Sequence, residues 1–70
     1  MLTPSRLALA RKRRGLTLVQ LADAVGVSVR SLSAYENGRQ EPGPPTRHRL
    51  AAALDVPEAF LGAGDVDEIP

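Results

Sequence analysis

The sequence has no cysteine, and its only aromatic side chains are Tyr35 and Phe60. Without cysteine the chain forms neither a disulfide nor a thiolate metal site, which suits a reducing compartment. Its longest unbroken apolar run, residues 50–54, is far too short to cross a bilayer. Arg6 and Arg11 interrupt the N-terminal segment, which therefore lacks the apolar stretch of a signal peptide. These features predict a cytoplasmic protein with no membrane partner.

Residue types that common catalytic and metal sites require are also scarce. His48 is the only histidine, so the His-Glu-x-x-His pattern does not occur. Gly62 and Gly64 follow a predicted helix and lack the third glycine of a dinucleotide-binding loop. The sequence therefore predicts no enzyme, no cofactor and no metal. It also predicts that His48, which stands between two arginines, is solvated.

Charge is unevenly distributed along the chain. Residues 1–50 carry nine Lys and Arg against three acidic side chains, a net charge of +6. Residues 51–70 carry five acidic side chains and no basic one. A basic segment of this size is a candidate for binding a polyanion, which would repel the acidic end. Taken alone, the asymmetry fits ordinary solvated charge equally well.

Helix signals begin close to the N-terminus. Thr3-Pro4 predicts a helix start, with a threonine cap followed by a proline whose missing N–H costs nothing there. Gly15 predicts the end of this helix. The basic run at residues 11–14 falls in its last turn, where cations suit the helix dipole. Dipole compensation is therefore favoured over direct contact with a polyanion.

Two further helices follow at once. Thr17 and Gln20 match a capping box, which predicts the start of a second helix. Gly26 predicts its end, because that position favours a residue that tolerates positive φ. Ser28 is placed to cap a third helix, which Asn37-Gly38 closes.

The C-terminal half predicts two more helices. Gly43-Pro44 marks the start of a fourth helix, and residues 50–54 supply its apolar stripe. Residues 55–61 predict a turn and a short fifth helix, and residues 62–70 an acidic tail or linker. No segment has the period of a strand. The sequence therefore predicts an all-α fold with one domain over residues 3–61.

The second and third helices are joined by so short a connection that they must cross steeply, as in a helix-turn-helix. Close packing at such a corner requires a small residue, a turn glycine and a core residue at set offsets. Ala22, Gly26 and Leu32 provide them. Gly26 therefore serves the corner between the two helices.

These residues also carry a family resemblance. The segment from Gly15 to Pro42 resembles the XRE family of phage-repressor-like (Cro/cI-type) helix-turn-helix domains, and the match extends from Pro4 to about Leu61. The elements that carry it stand in register: Arg11, Leu16-Thr17, Leu21-Ala22, Gly26-Val27-Ser28, Tyr35-Glu36-Asn37-Gly38, Pro42, and Leu50-Ala51 with Leu54 and Val56.

The resemblance implies a compact five-helix, lambda-repressor-like domain whose third helix enters the major groove. It implies sequence-specific binding of double-stranded DNA by a transcriptional regulator, repressor-like in character, with a homodimer as a possible assembly. With Leu32 and Tyr35 turned inward, the outward residues of the third helix are expected to face bases. The predicted base-facing residues are Ser28, Val29, Arg30, Ser33 and Ala34.

Chemistry gives these residues different roles. Arg30 suits a bidentate contact to guanine, Val29 and Ala34 suit a thymine methyl, and Ser33 is permissive. For Val29 and Ala34 the alternative is ordinary helix surface. The residues predicted to contact phosphate are Thr17, Gln20, Asn37, Arg39 and Arg47.

Three positions depart from the family pattern. Leu18 replaces a glutamine that touches phosphate, so backbone N–H groups, Thr17 or Gln20 must substitute. Arg47 stands at a position that is usually apolar, and it is assigned to the DNA edge of the fourth helix, with solvent as the alternative. Gly43 replaces a serine cap.

The resemblance further implies an ion pair between Arg11 of the first helix and Glu36 at the end of the third. A carboxylate near a helix C-terminus is unfavourable without a cation beside it, which makes the pair physically reasonable. The alternative for Glu36 is an exposed acid with no role.

Other functions stay open at this point. Some domains of this fold act as protein-interaction or antitoxin-type modules. The segment AFLGAGDVDEIP, residues 59–70, resembles the junction at which an XRE domain precedes an ImmA/IrrE-type metallopeptidase domain. The chain could then be the regulatory head of a larger metallopeptidase-containing protein.

Overall fold

The computed structural model describes residues 2–62, and these residues form five α-helices and no strand. The helices are α1 (Pro4–Arg13), α2 (Leu18–Val25), α3 (Val29–Glu36), α4 (Pro44–Leu54) and α5 (Glu58–Gly62). The predicted all-α, five-helix fold is confirmed. The domain boundary at residue 61 stays a prediction, because residues 63–70 of the predicted tail lie outside the described part.

Local sequence signals set most helix ends. The Thr17 side chain accepts a hydrogen bond from the Gln20 backbone N–H, and the Gln20 side chain accepts one from the Thr17 N–H, which completes the predicted capping box. Ser28 Oγ accepts from the Ser31 N–H at 3.0 Å and caps α3. Gly43 precedes Pro44 at the start of α4, as predicted.

The start of α1 differs from its prediction in one respect. Thr3 occupies the cap position, but its side chain makes no capping hydrogen bond. Its backbone is used instead: the Thr3 N–H donates to the Leu61 carbonyl at 2.7 Å, and the Thr3 carbonyl accepts from Arg6 and Leu7. This N-terminal segment is therefore held by α5, a contact between chain ends that local sequence does not specify.

The core draws aliphatic side chains from every helix. Each fully buried leucine contributes about 1.5–3 kcal/mol through the hydrophobic effect. Among residues 2–62, no polar or charged residue belongs to the buried class. The buried hydrophobic residues are Leu2, Leu7, Ala10, Leu21, Ala22, Val25, Leu32, Leu50, Ala51, Leu54 and Leu61.

The corner between α2 and α3 has the predicted geometry. Gly26 ends α2 with φ +83°, in the left-handed region, and its N–H donates to the Ala22 carbonyl at 2.8 Å. The Val27 N–H donates to the same carbonyl at 3.0 Å. Ala22 is buried at this turn, and Leu32 is buried on α3. The corner therefore directs the opposite side of α3 to the surface.

Candidate nucleic-acid interface

The outward side of α3 carries the predicted base-facing residues. Val29 is 40% exposed, and Arg30 is exposed. Ser33 and Ala34 are half-buried, because they lie closer to the edge of the helix contact. The structure thus presents an apolar and a cationic side chain next to each other on one open helix face.

Ser28 stands at the start of the same face, but its hydroxyl is committed locally. It accepts from the Ser31 N–H and donates to Ser31 Oγ at 3.1 Å. A hydroxyl that caps a helix retains acceptor capacity, so Ser28 can still meet a donor. Its structural role is to cap the N-terminus of α3.

Arg30 and Arg39 carry exposed guanidinium groups. Within residues 2–62, no carboxylate forms an ion pair with either side chain, and both are exposed. A guanidinium offers five N–H donors in a planar fork that matches guanine or phosphate oxygens. These two arginines are therefore chemically available, one on α3 and one just after it.

The first turn of α2 offers further donors. The capping box uses the Thr17 hydroxyl oxygen and the Gln20 amide oxygen, which leaves the Thr17 hydroxyl hydrogen and the Gln20 NH₂ group to donate outward. The first N–H groups of a helix have no partner within it and carry the positive end of the dipole. This end can therefore hold an anion although Leu18 replaces a polar residue.

The α3–α4 loop (residues 37–43) folds back on α3. The Arg39 N–H donates to the Ala34 carbonyl at 2.9 Å, and Asn37 Nδ2 donates to Ser33 Oγ at 3.3 Å. Asn37 and Arg39 are exposed. The loop therefore extends the donor surface of α3 past the helix end.

Arg47, which the sequence predicts to contact phosphate, is half-buried and lies near two carboxylates. Its Nη1 lies 4.0 Å from Glu41 Oε2, and its Nε lies 4.0 Å from Glu58 Oε1. The side chain is 25% exposed. The two carboxylates come from the α3–α4 loop and α5 and lie at the outer limit of an ion-pair distance, so the phosphate role of Arg47 stays a prediction.

The structure joins Arg11 and Glu36, the two predicted ion-pair partners. Arg11 Nε donates to Glu36 Oε2 at 2.7 Å, and Nη2 donates to Oε1 at 3.2 Å. Arg11 Nη1 also donates to the Leu16 carbonyl at 2.9 Å. The pair thus links α1, the segment before α2, and the end of α3.

Two polar contacts escaped the sequence analysis. His48, predicted to be solvated, is 75% exposed, yet its Nδ1 lies 2.6 Å from Glu58 Oε2. Glu41 Oε2 accepts a hydrogen bond from the Leu2 backbone N–H at 2.6 Å. Both contacts join distant parts of the chain, and no spacing signal could have revealed them.

Other site chemistry is sparse in the described part of the chain. No group of three or more potential metal ligands comes together among residues 2–62. None of the helices there has the length and apolar character needed to span a membrane.

Curated relatives share much of this sequence. The chain is 42% identical over 62 residues to the HTH-type transcriptional repressor RghR of Bacillus subtilis (strain 168), a match that covers 84% of this chain and 46% of that protein. It is 46% identical over 44 residues to an uncharacterized HTH-type transcriptional regulator of Methanothermobacter thermautotrophicus, covering 63% of this chain and 64% of that one. The chain thus spans about half the length of its Bacillus relative.

Solved structures share the fold. The P22 c2 repressor, in a crystal structure with synthetic operator 9T, superposes with a TM-score of 0.85 at 29% identity, covering 93% of this chain and 98% of that one. The restriction-modification controller protein C.AhdI from Aeromonas hydrophila gives a TM-score of 0.80 at 28% identity, covering 83% and 88%. The predicted repressor-like architecture is therefore confirmed.

A family model agrees with both comparisons. The helix-turn-helix family HTH_3 matches residues 7–61, which includes α2, the corner at Gly26 and α3. The chain belongs to the HTH_3 family of helix-turn-helix domains.

Proposed function

We propose that this domain binds duplex DNA sequence-specifically, as the DNA-contacting part of a transcriptional regulator of the repressor type. The observation that carries the proposal is the surface of α3, where Val29 and Arg30 are exposed and Arg30 has no carboxylate partner among residues 2–62. The turn at Gly26 and the Arg11–Glu36 ion pair fix the orientation of α3, so that this surface faces outward. The likeness to the P22 c2 repressor supports placing α3 in the major groove.

Base reading in this proposal falls mainly to Arg30. Its guanidinium fork can donate to O6 and N7 of guanine, while Val29 and Ala34 can contact a thymine methyl. Ser28 and Ser33 supply small polar groups that tolerate several bases. With Arg30 as the one strong hydrogen-bonding residue proposed for this face, a single domain discriminates only modestly between base sequences. A homodimer that contacts two half-sites is therefore part of the proposal.

Phosphate contacts in this proposal surround the α3 face on two sides. The start of α2 contributes Thr17, Gln20 and its free N–H groups, and the α3–α4 loop contributes Asn37 and Arg39. The net charge of +6 in residues 1–50 supports this arrangement. Arg47 on α4 stays in the proposed phosphate set, although Glu41 and Glu58 lie 4.0 Å from its guanidinium group. A cytoplasmic location and a non-enzymatic, DNA-binding role for this domain are part of the proposal.

Selection from a random duplex pool tests the proposal. We expect enriched sequences to contain a recurring guanine, and two copies of the motif about one helical turn apart if a dimer binds. A gel shift at low salt should then show tighter binding to the selected duplex than to a scrambled one. Absence of both enrichment and low-salt binding would instead favour a protein-interaction or antitoxin-type module.

A larger architecture is a second proposal. The resemblance of residues 59–70 to an XRE–ImmA/IrrE junction supports a regulatory head attached to a metallopeptidase domain, although residues 63–70 lie outside the described part. The partial coverage of the Bacillus relative is compatible with it. Sequencing the complete reading frame tests it, since a downstream metallopeptidase zinc motif must then appear.

A further inference from the structure

Glu41 connects the α3–α4 loop to the N-terminal segment. Its Oε2 accepts the Leu2 backbone N–H at 2.6 Å, across 39 residues of sequence. Leu2 is only 3% exposed, so the donor belongs to a segment that the core holds in place. A hydrogen bond between an N–H group and a carboxylate is charge-assisted, and it is roughly twice as strong as a neutral one.

The same carboxylate is part of a longer polar chain. Glu41 Oε2 faces Arg47 Nη1 on α4, and Arg47 Nε faces Glu58 on α5. Glu58 in turn contacts His48. The α3–α4 loop is therefore tied through Glu41 to the N-terminal segment and α4, and through them to α5.

The loop is fixed at its other end by backbone contacts. The Arg39 and Gln40 N–H groups both donate to the Ala34 carbonyl, at 2.9 and 3.4 Å. Pro42, directly after Glu41, is fully buried. The Arg39 backbone is thus hydrogen-bonded to α3 on one side and precedes the Glu41–Pro42 anchor by two residues on the other, with its side chain exposed.

We propose that Glu41 is a positioning residue for DNA binding: its carboxylate fixes the α3–α4 loop in the conformation that presents Arg39 to a phosphate. The inference rests on the proposed function. It assigns an acidic side chain a favourable effect on binding to a polyanion, whereas simple electrostatics predicts repulsion. Whether DNA affinity falls or rises when Glu41 is replaced therefore distinguishes a positioning role from electrostatic repulsion.

The affinities of three variants for the selected duplex, each compared with the wild type, show which of the two occurs. Glu41→Ala removes both the charge and the hydrogen-bond acceptor, and we expect binding about three- to tenfold weaker, which is the effect of losing one hydrogen bond of ordinary net strength. Glu41→Gln removes the charge but keeps an acceptor oxygen for the Leu2 N–H, so it should bind more tightly than Glu41→Ala. Asp23→Asn is the matched control, because it neutralises an exposed acid on α2 and should leave binding unchanged or tighter.

Coupling to Arg39 distinguishes positioning from a general loss of stability. Arg39→Ala should weaken binding less in the Glu41→Ala background than in the wild type, because the loop no longer presents Arg39. An equal loss in both backgrounds would overturn the proposal. If Glu41→Ala does not fold, as judged by far-UV circular dichroism, the same cycle is run with Glu41→Gln, where we expect a smaller coupling of the same sign because a neutral amide holds the Leu2 N–H less strongly than a carboxylate.

The outcomes also separate this inference from the proposed function. If the wild type does not bind DNA in any duplex pool, both fail. If the wild type binds and both Glu41 variants bind as tightly as it does or more tightly, the positioning role alone is wrong. Weaker binding by Glu41→Ala, partial recovery in Glu41→Gln and coupling to Arg39 together support it.

Discussion

Arg11 and Glu36 form a two-pronged ion pair that ties the last turn of α1 to the last residue of α3. The side chains are 13% and 10% exposed, so water screens the pair little. Glu36 lies at the negative end of the α3 dipole, where a carboxylate is unfavourable unless a cation offsets it. The pair therefore fixes the end of the helix that carries Val29 and Arg30.

We expect Arg11→Ala and Glu36→Ala each to lower the free energy of unfolding by on the order of 3 kcal/mol, because each leaves a largely buried charge without its partner. The double variant should lose less than the sum of the two. Urea denaturation measures all three. Arg14→Ala is the control: Arg14 faces exposed Asp55 at 4.0 Å, so its loss should stay below about 1 kcal/mol. Strict additivity would show that Arg11 and Glu36 do not stabilise each other.

Gly26→Ala should destabilise the domain by about 1–2 kcal/mol through backbone strain alone. No atom lies within 4 Å of the position a Cβ would occupy, so the cost arises from φ +83° rather than from a clash. Gly43→Ala is the control, since Gly43 has φ −69° and its nearest neighbour, Pro45 Cδ, would be 3.8 Å away. Its stability should change by less than about 0.5 kcal/mol. Thermal unfolding of the two variants compares them, and equal losses would contradict the assigned role of Gly26.

DNA binding should weaken steeply with salt. Lysine and arginine contacts displace condensed counterions, so the logarithm of affinity should fall linearly with the logarithm of salt concentration, with a slope of about −0.9 per phosphate neutralised. Fluorescence anisotropy with the selected duplex between about 50 and 200 mM salt gives the slope. An affinity that barely changes over this range would contradict binding through the basic surface.

Arg30 and Arg39 should differ in what their removal changes. Arg30→Ala should cost about 1–3 kcal/mol on the preferred site and relax the preference at one base position in each half-site. Arg39→Ala should weaken all duplexes about equally and reduce the salt slope by about one ion. Repeating the selection with both variants measures this. An unchanged base preference in Arg30→Ala would show that Arg30 does not determine sequence specificity.

Local signals predicted the helices well because their causes are local. A capping box at Thr17, a left-handed position at Gly26 and a proline at the first position of α4 act within a few residues of each other. Thr3 is the exception. Its side chain makes no capping hydrogen bond to α1, and its backbone N–H donates to the Leu61 carbonyl of α5, a contact that local sequence does not specify.

Helix periodicity and the family resemblance predicted only part of the candidate site. Burial of Leu32 implies that Arg30 faces outward, because residues two apart on a helix point to nearly opposite sides, whereas the 40% exposure of Val29, three residues from Leu32, does not follow from periodicity. The partners of Arg47 were not predictable, since nothing in its sequence neighbourhood indicates Glu58. The same holds for His48.

The sequence by itself determined five helices, a corner at Gly26 and the side of α3 that faces outward, because caps, glycine conformation and helical periodicity are short-range. Only the tertiary structure decided which charges remain free. Arg11 and Arg47 meet carboxylates from other helices or loops, whereas Arg30 and Arg39 meet none among residues 2–62. Whether a basic side chain can bind a ligand depends on which acidic groups the packed helices bring within a few ångströms of it. The sequence gives the number of charges but not the distances between them.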